Sequence, residues 1–227
     1  MSRASRRVVA SSGVFCLIAA CGVPVAFASA PVTPPAGTPN MGAMVLQPSD
    51  LAPGASVAAQ RYVAPPNGFT AEYAAVYTGA TTTTDGTKFT SIEDDVTLAS
   101  TATPGADLEA SNQAVFATPS GRRSVIKAAI KAAGKKAHLK AKDFKFSPTA
   151  SAGIGSASFV EIITLTDKHR SVEEGWVGFV DGDTYTGLLM VAKTIPQSDA
   201  IALAQTTDGH IHATLGSTGA TGTTGTT

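Results

Sequence analysis

Hydrophobic and polar residues alternate with a period of two along much of the chain, which is the pattern of strands half-buried in a sheet. Seven segments carry a strand pattern: 55–63, 69–77, 92–98, 144–146, 159–165, 176–180 and 185–191. In the second segment Phe69, Tyr73 and Tyr77 also fit helical spacing, so a helix stays open there as an alternative. The Asp181-Gly182 dipeptide between two β-rich segments predicts a tight hairpin turn.

Three further segments show the spacing of amphipathic helices. The first begins near Pro104, a residue type favoured at helix starts, and leads to Val115 and Phe116. The second spans about 121–137 and carries one apolar stripe, made of Val125, Ile126, Ala129, Ile130 and Ala133. The third begins near Pro196 or Ser198. Sets of strands followed by helices predict an α+β fold, an antiparallel sheet of about six to seven strands with helices packed on it.

The amino terminus has the pattern of an export signal. Three cations, Arg3, Arg6 and Arg7, precede a run from 8 to 27 without any charge, and small residues follow it. A positive end, an apolar stretch and an A-x-A exit are typical of a secretory signal peptide. We therefore expect residues 1–30 to be a signal peptide and the protein to work outside the cytoplasm, either secreted or anchored to the cell envelope.

Both cysteines lie in this predicted signal. Cleavage after an A-x-A motif would remove Cys16 and Cys21, whereas the run Ile18-Ala19-Ala20-Cys21 resembles a lipoprotein signal in which Cys21 would be lipidated. Free secretion and lipidation both stay open, and a membrane contact is expected only through such an anchor. In either case the mature domain has no disulfide and no Cys metal site.

Composition limits the class of protein and indicates where the folded domain begins and ends. The chain has 227 residues and only 15% charged residues, below the roughly 25% usual for soluble domains, which excludes a highly charged disordered protein or a coiled coil. Residues 31–42 are rich in Pro and predict a linker, and 216–227 contain only small residues, which predicts a disordered tail. The single folded domain is then expected over 43–215, a common domain size.

Positive charge is concentrated in one part of the sequence. Nine cations lie between 122 and 145, and Arg123, Lys127, Lys131 and Lys135 recur every fourth residue along one helical edge. This basic helix edge could bind an anion, an anionic envelope surface or an acidic partner protein, or it could simply be a solvated face. Nucleic acid is not an expected partner, because the protein is exported and its mature charge is negative.

Other candidate chemistries are less favoured. Ser124 and Lys127 form an S-x-x-K string, but its partner motifs are missing. His210 and His212 would point about 200° apart on a helix, so one metal ion could not bind both. The acids Glu93-Asp94-Asp95, Glu173-Glu174 and Asp181/Asp183 match no calcium loop and predict solvated turns. We therefore expect no catalytic residues, no metal and no cofactor.

The run Leu46-Gln47-Pro48-Ser49-Asp50-Leu51-Ala52-Pro53-Gly54, after a signal and a Pro-rich linker, resembles the start of exported bacterial envelope domains of sensor-like or unknown function. The match covers about nine residues, and such domains often carry disulfides that this chain lacks. The resemblance implies a sensor-like domain and transfers no site residue.

These observations support one function hypothesis and leave two alternatives. The first is a non-enzymatic domain that binds a ligand or partner in the cell envelope, through the basic helix edge or a cleft between sheet and helices. A carrier of an apolar or lipid ligand would instead need a cavity lined by residues such as Phe159, Trp176 and Leu189. A secreted hydrolase would need a pocket with a shifted carboxylate or His beside a Ser or Asp.

Overall fold

The computed structural model describes residues 31–51, 53–82, 86–134, 138–167 and 171–219. These residues form one seven-stranded antiparallel sheet in the order β1-β2-β3-β7-β6-β5-β4. The strands are β1 (Ser56–Val63), β2 (Phe69–Thr82), β3 (Lys88–Ala99), β4 (Phe144–Phe146), β5 (Ala157–Thr166), β6 (Ser171–Asp181) and β7 (Thr184–Ala192). The predicted α+β fold is confirmed, and the segment from Phe69 is a strand.

Two meanders build the sheet. The first contains β1 to β3, the second contains β4 to β7, and the antiparallel pairing of β3 with β7 joins them. The two central strands are thus far apart in sequence. In their register Asp95 lies opposite Gly187, and Gly187 lies opposite Gly178 of β6. The predicted turn at Asp181-Gly182 is confirmed, since β6 ends at Asp181 and β7 begins at Thr184.

Within the described residues, three α-helices pack on the sheet: α1 (Thr103–Ala117), α2 (Pro119–Ala133) and α3 (Gln197–Gly219). The Thr118 hydroxyl accepts a hydrogen bond from the Gly121 amide (3.1 Å) and so caps the start of α2. Helix α2 ends at Ala133, earlier than expected, because Gly134 adopts φ +73°, a conformation that continues no helix.

Each face of the sheet has its own core. On the face that contacts α3, Tyr77, Ile92, Val96 and Met190 pack with Leu203 and Ile211 of the helix and with the segment 41–51. We call this the α3 face. On the opposite face, Phe159, Ile163 and Leu165 pack with Phe116 of α1 and Ala129 of α2. This second face, the α1–α2 face, carries the features described below.

The predicted division into signal, linker, domain and tail stays a prediction. The predicted signal, with Cys21, lies outside the described residues. Met41 is fully buried in the core, two residues before the expected start of the domain, and α3 continues to Gly219, beyond the expected end at 215. None of the described helices combines the length and the apolar character that crossing a membrane requires.

Candidate functional site

The basic helix edge lies on α2, as its spacing predicts. Arg123, Lys127 and Lys131 are exposed, whereas Val125, Ile126 and Ile130 of the same helix pack against the core. Among the described residues, no ion pair joins any of these three cations to an acid. Lys135 lies outside the described residues. The edge therefore presents three unneutralised charges, and whether it binds anything stays a prediction.

The neighbouring Arg122 has a different role. Its guanidinium donates to the Phe116 carbonyl and to the Ser147 carbonyl (Nη2, 3.1 Å), and it lies 5.2 Å from the centre of the Phe146 ring. Its Nη2 is 3.7 Å from Oε1 of the buried Glu161. Arg122 thus ties α2 to the edge of the sheet and belongs to the packing of the domain.

The expectation of a solvated turn at Glu93-Asp94-Asp95 is wrong. These three acids lie in β3, the central strand between β2 and β7. Because side chains alternate along a strand, Asp94 points to the α3 face while Glu93 and Asp95 point to the α1–α2 face. Glu174 is also misassigned, because it lies within β6 and its residue is only 3% exposed.

Asp94 holds the amino-terminal segment against the sheet. Its Oδ2 accepts hydrogen bonds from the Leu46 amide (2.7 Å) and from the Thr207 hydroxyl of α3 (2.9 Å). Burial raises the pKa of Asp94 to about 7, and these two donors oppose the rise. The residue thus connects β3, α3 and the segment 41–51, which is a structural role.

Five acids gather on the α1–α2 face, and together with Tyr185 they form what we call the acidic cleft. They come from four elements: Glu72 of β2, Glu93 and Asp95 of β3, Glu109 of α1 and Glu174 of β6. Helix α1 packs over β5, β6 and β7, and Glu72, Glu93 and Asp95 lie on the part of the same face over β2 and β3. Arg61 of β1 lies in the same row as Asp95, with Ala74 between them.

Two glycines form the floor of the cleft beside α1. A Cβ on Gly178 would lie 2.7 Å from Glu109 Oε2, 3.0 Å from the Tyr185 hydroxyl and 2.5 Å from Phe159 Cε1. These three side chains therefore meet directly above Gly178. The equivalent position on Gly187, between Gly178 and Asp95, has only Tyr185 Cε1 within 4 Å, at 3.9 Å. The space above Gly178 is thus filled, whereas a Cβ on Gly187 would make only an ordinary van der Waals contact with Tyr185.

Helix α1 positions the polar groups of this region. Gln113 donates a hydrogen bond to Glu109 Oε1 (3.1 Å), and Asn112 donates to the Tyr185 hydroxyl (2.7 Å). Glu109 is only 1% exposed, and its burial raises its pKa to about 7. Burial also raises the pKa of Tyr185, and the nearby charges of Glu109 and Asp95 raise it further.

The only tryptophan of the chain, Trp176, lies on β6 between Gly178 and Glu174, on the same face of the sheet. The Trp176 indole N–H donates to Glu174 Oε1 (2.6 Å). Burial raises the pKa of Glu174 to about 8, and the charge of Glu93 adds to this shift. Burial likewise raises the pKa of Glu72 to about 7, again with a contribution from Glu93. Glu93 thus links the two ends of the cleft electrostatically.

Three of these carboxyl groups have unused hydrogen-bonding capacity. One buried oxygen has no hydrogen-bond partner in the described structure on each of Asp95, Glu109 and Glu174. Buried polar groups in folded proteins are nearly always paired. The oxygens on Asp95, Glu109 and Glu174 can therefore still accept a hydrogen bond.

The residues named for the two alternative functions lie in different parts of the described structure. Among the described histidines, His210 pairs with Asp50 and His212 lies near Asp181, so neither belongs to the cleft. The two histidines have different partners on α3, and that they do not share one metal ion stays a prediction. Phe159 and Trp176 both pack against Phe116, with ring centres 5.4 and 5.5 Å away, and Leu189 is buried beside Trp176. These contacts do not favour an apolar cavity.

Fold and site together define an α+β domain with an acid-lined cleft. No family model matches the chain, and no curated protein matches it. A solved structure, the extracellular domain of PknH from Mycobacterium tuberculosis, is similar at 13% identity and a TM-score of 0.39, with 81% of this chain and 99% of that domain covered. A TM-score this low carries no argument about function, so the proposals below depend on this chain's own residues.

Proposed function

We propose that this chain is exported and that its folded part is a non-enzymatic domain binding a cationic ligand in the acidic cleft. The export proposal is supported by the pattern of residues 1–30. The single observation that carries the ligand proposal is the pair of unpartnered oxygens on Glu109 and Glu174, both of which are at least 97% buried. An ammonium or guanidinium group would provide the donors that these carboxylates lack.

The physical reason is the cost of leaving a buried carboxyl group unpaired. An unsatisfied buried polar group costs about 1–3 kcal/mol, and an unpaired charge costs more. Without a ligand the groups reduce this cost by retaining protons, which agrees with pKa values near 7 for Glu109 and about 8 for Glu174. A cationic ligand would replace these protons and gain charge-assisted hydrogen bonds.

The aromatic residues of the cleft narrow the ligand class. Tyr185 stands beside the Gly178–Gly187 floor, and Trp176 lies between this floor and Glu174 on the same face of β6, so a ligand reaching from Glu109 to Glu174 would pass aromatic rings. A cation is attracted by the face of such rings, and by Trp most strongly. We therefore propose an organic cation with amino or guanidino groups as the ligand, in preference to a bare metal ion.

Binding can be measured through the fluorescence of Trp176 and by calorimetry, with spermidine and agmatine as probes. Adipate, an anionic molecule of similar length, is the negative control. We expect both cations to bind and adipate not to bind. Replacing Glu109→Gln or Asp95→Asn should weaken cation binding at least about tenfold, because each removes one charge-assisted contact.

A matched control variant removes one negative charge outside the cleft. Asp183 is an exposed acid of the β6–β7 turn, outside the cleft, and Asp183→Asn should leave the affinity within about twofold, as a screened surface charge does. Loss of affinity in all three variants alike would indicate general electrostatic attraction and refute the cleft. Absence of binding by either cation to the unmodified protein would refute it as well.

A second candidate site is the basic helix edge, favoured by the absence of ion pairs at Arg123, Lys127 and Lys131 within the described part of the chain. The expected partner is an anionic envelope surface or an acidic protein. In sedimentation with anionic vesicles, Lys127→Gln together with Lys131→Gln should reduce binding severalfold. The same double change at Lys142 and Lys145 of the β4 edge is the control, and equal losses would refute a specific edge.

A further inference from the structure

A cluster of potential metal ligands lies on the α3 face, away from the acidic cleft, where the β6–β7 turn meets α3. Asp181 ends β6, and Asp208 and His212 are one helical turn apart in α3. His212 Nε2 lies 3.4 Å from Asp181 Oδ2 and 3.8 Å from Asp208 Oδ2. One ligand atom from each of the three side chains lies within 4.8 Å of the other two.

These separations fit a small metal ion. Four ligands held tetrahedrally at about 2.1 Å from Zn²⁺ are about 3.4 Å from one another. The distance from His212 to Asp181 equals this value, and the distance to Asp208 exceeds it by 0.4 Å, which a small side-chain rotation closes. The cluster could thus bind the ion without movement of α3 or the hairpin.

The second observation concerns Asp208. Its Oδ1 is buried and has no hydrogen-bond partner in the part of the chain that the structure describes. Asp181 brings a second carboxylate close to it. Asp208 therefore keeps a free acceptor oxygen next to the Oδ2 that faces His212, and a divalent cation held by this carboxylate would use it.

We propose that Asp181, Asp208 and His212 form a zinc site with three protein ligands and one position open to water. The imidazole ligand and the small ligand number favour Zn²⁺, because Ca²⁺ takes six to eight oxygen ligands and Mg²⁺ keeps octahedral geometry. The His212 side chain is 66% exposed, so the ion and its water can enter from solvent. The bound ion would connect the β6–β7 turn to α3.

The same helix supplies a matched control. His210 lies on another side of α3, where its Nε2 is 2.9 Å from Asp50 Oδ2. Replacing His210→Ala removes an imidazole from the same helix and breaks one ion pair, but leaves the proposed ligands in place. His212→Ala and Asp208→Asn each remove one ligand. Because His212 is exposed, its replacement should not impair folding.

The experiment uses the untagged full chain with Cys16→Ser and Cys21→Ser, so that thiols do not bind the metal. Calorimetry with Zn²⁺ should show one site, and saturating Zn²⁺ should raise the melting temperature by about 5 °C, as for a ligand at roughly a hundredfold excess over its Kd. His212→Ala and Asp208→Asn should weaken zinc binding at least tenfold, whereas His210→Ala should change it less than about twofold.

Three outcomes would overturn the proposal. If the unmodified chain binds no zinc and its melting temperature does not shift, the three side chains form only an ion pair. If His212→Ala binds zinc as tightly as the parent, the ion binds elsewhere. If Ca²⁺ or Mg²⁺ raises the melting temperature as much as Zn²⁺ does, the site is not a zinc site.

Discussion

Replacing Glu174→Gln tests whether the ionised carboxyl group of Glu174 lacks partners that would offset the cost of its burial in the acidic cleft. Glutamine resembles the protonated carboxyl group in shape, and its side-chain oxygen can still accept the hydrogen bond from the Trp176 indole N–H. The variant therefore fixes Glu174 in a neutral state. We expect it to be more stable than the parent at alkaline pH and similar to it at acidic pH.

The sign follows from proton binding. In the folded protein the pKa of Glu174 is raised from 4.5 to about 8, so the folded state retains this proton to a higher pH than the unfolded chain does. Raising the pH through this window favours the unfolded chain, which has already lost the proton. The free energy of unfolding of the parent should therefore fall between about pH 4.5 and about pH 8, and this fall is complete above the folded pKa.

The magnitude follows from the size of the shift. A difference of about 3.5 pH units corresponds to roughly 5 kcal/mol at 1.36 kcal/mol per unit. Between about pH 5.5 and about pH 7.5 the free energy of unfolding of the parent should fall by roughly 2.7 kcal/mol relative to the variant. This change is a large fraction of the free energy of unfolding of a typical domain, about 5–15 kcal/mol. Even an effect of about half this size would be measurable.

The measurement is urea unfolding at these two pH values, followed by circular dichroism so that a changed Trp176 environment does not affect the signal. Glu173→Gln is the matched control. The Glu173 carboxylate accepts hydrogen bonds from Thr164 Oγ1 (3.3 Å) and the Ile195 amide (2.7 Å). We expect its replacement to destabilise the protein at both pH values. If Glu174→Gln shifts stability equally at both pH values, Glu174 is not an uncompensated acid, and the argument for the cleft fails at this residue.

Two other changes test the packing around the cleft and the opposite face. Gly178→Ala should destabilise the fold by about 1–3 kcal/mol, because its Cβ would overlap Phe159 and Glu109. Gly187→Ala should be nearly neutral, because its Cβ would make only an ordinary contact with Tyr185 at 3.9 Å, and equal urea midpoints for the two variants would contradict the described floor. Thr207→Val should cost about 1–3 kcal/mol by removing a donor from buried Asp94. The loss should be larger above about pH 7, where Asp94 is ionised and needs the donor more. An equal loss from Thr206→Val, whose exposed hydroxyl bonds only to a carbonyl of its own helix, would contradict this.

The fold could be predicted from the sequence because its signals are local. The Asp181-Gly182 turn needs only the two residues and their β-rich flanks, and the alternation from Phe69 to Tyr77 needs only nine neighbouring positions. The end of α2 was expected at about 137 and lies at Ala133. Gly134 contained the information, since a glycine after an apolar stripe is a common helix stop.

The candidate site could not be predicted in the same way. Adjacent residues in a strand point to opposite faces of the sheet. Glu93-Asp94-Asp95 is therefore one charged run in the sequence, but its side chains lie on two different faces. The floor depends on the pairing of Gly187 with both Gly178 and Asp95, which joins strands from the two meanders. Only Glu109 gave a local signal: it lies seven residues before Phe116, on the helix face that packs on the sheet.

The burial that disfavours ionised carboxyl groups in the cleft would also make the proposed site prefer cations to neutral or anionic ligands. Without a ligand, a pKa of about 8 keeps Glu174 mostly protonated at neutral pH, and a pKa of about 7 leaves Glu109 about half protonated. A bound cation lowers the pKa of both groups, and the protons leave as the positive charge enters. A neutral ligand would bring no positive charge to replace the protons. An anionic ligand would be repelled by the carboxyl groups that are ionised. If the cleft binds cations as proposed, its affinity for them should increase as the pH rises toward 8, and this dependence would distinguish it from a surface that attracts cations only through a permanent negative charge.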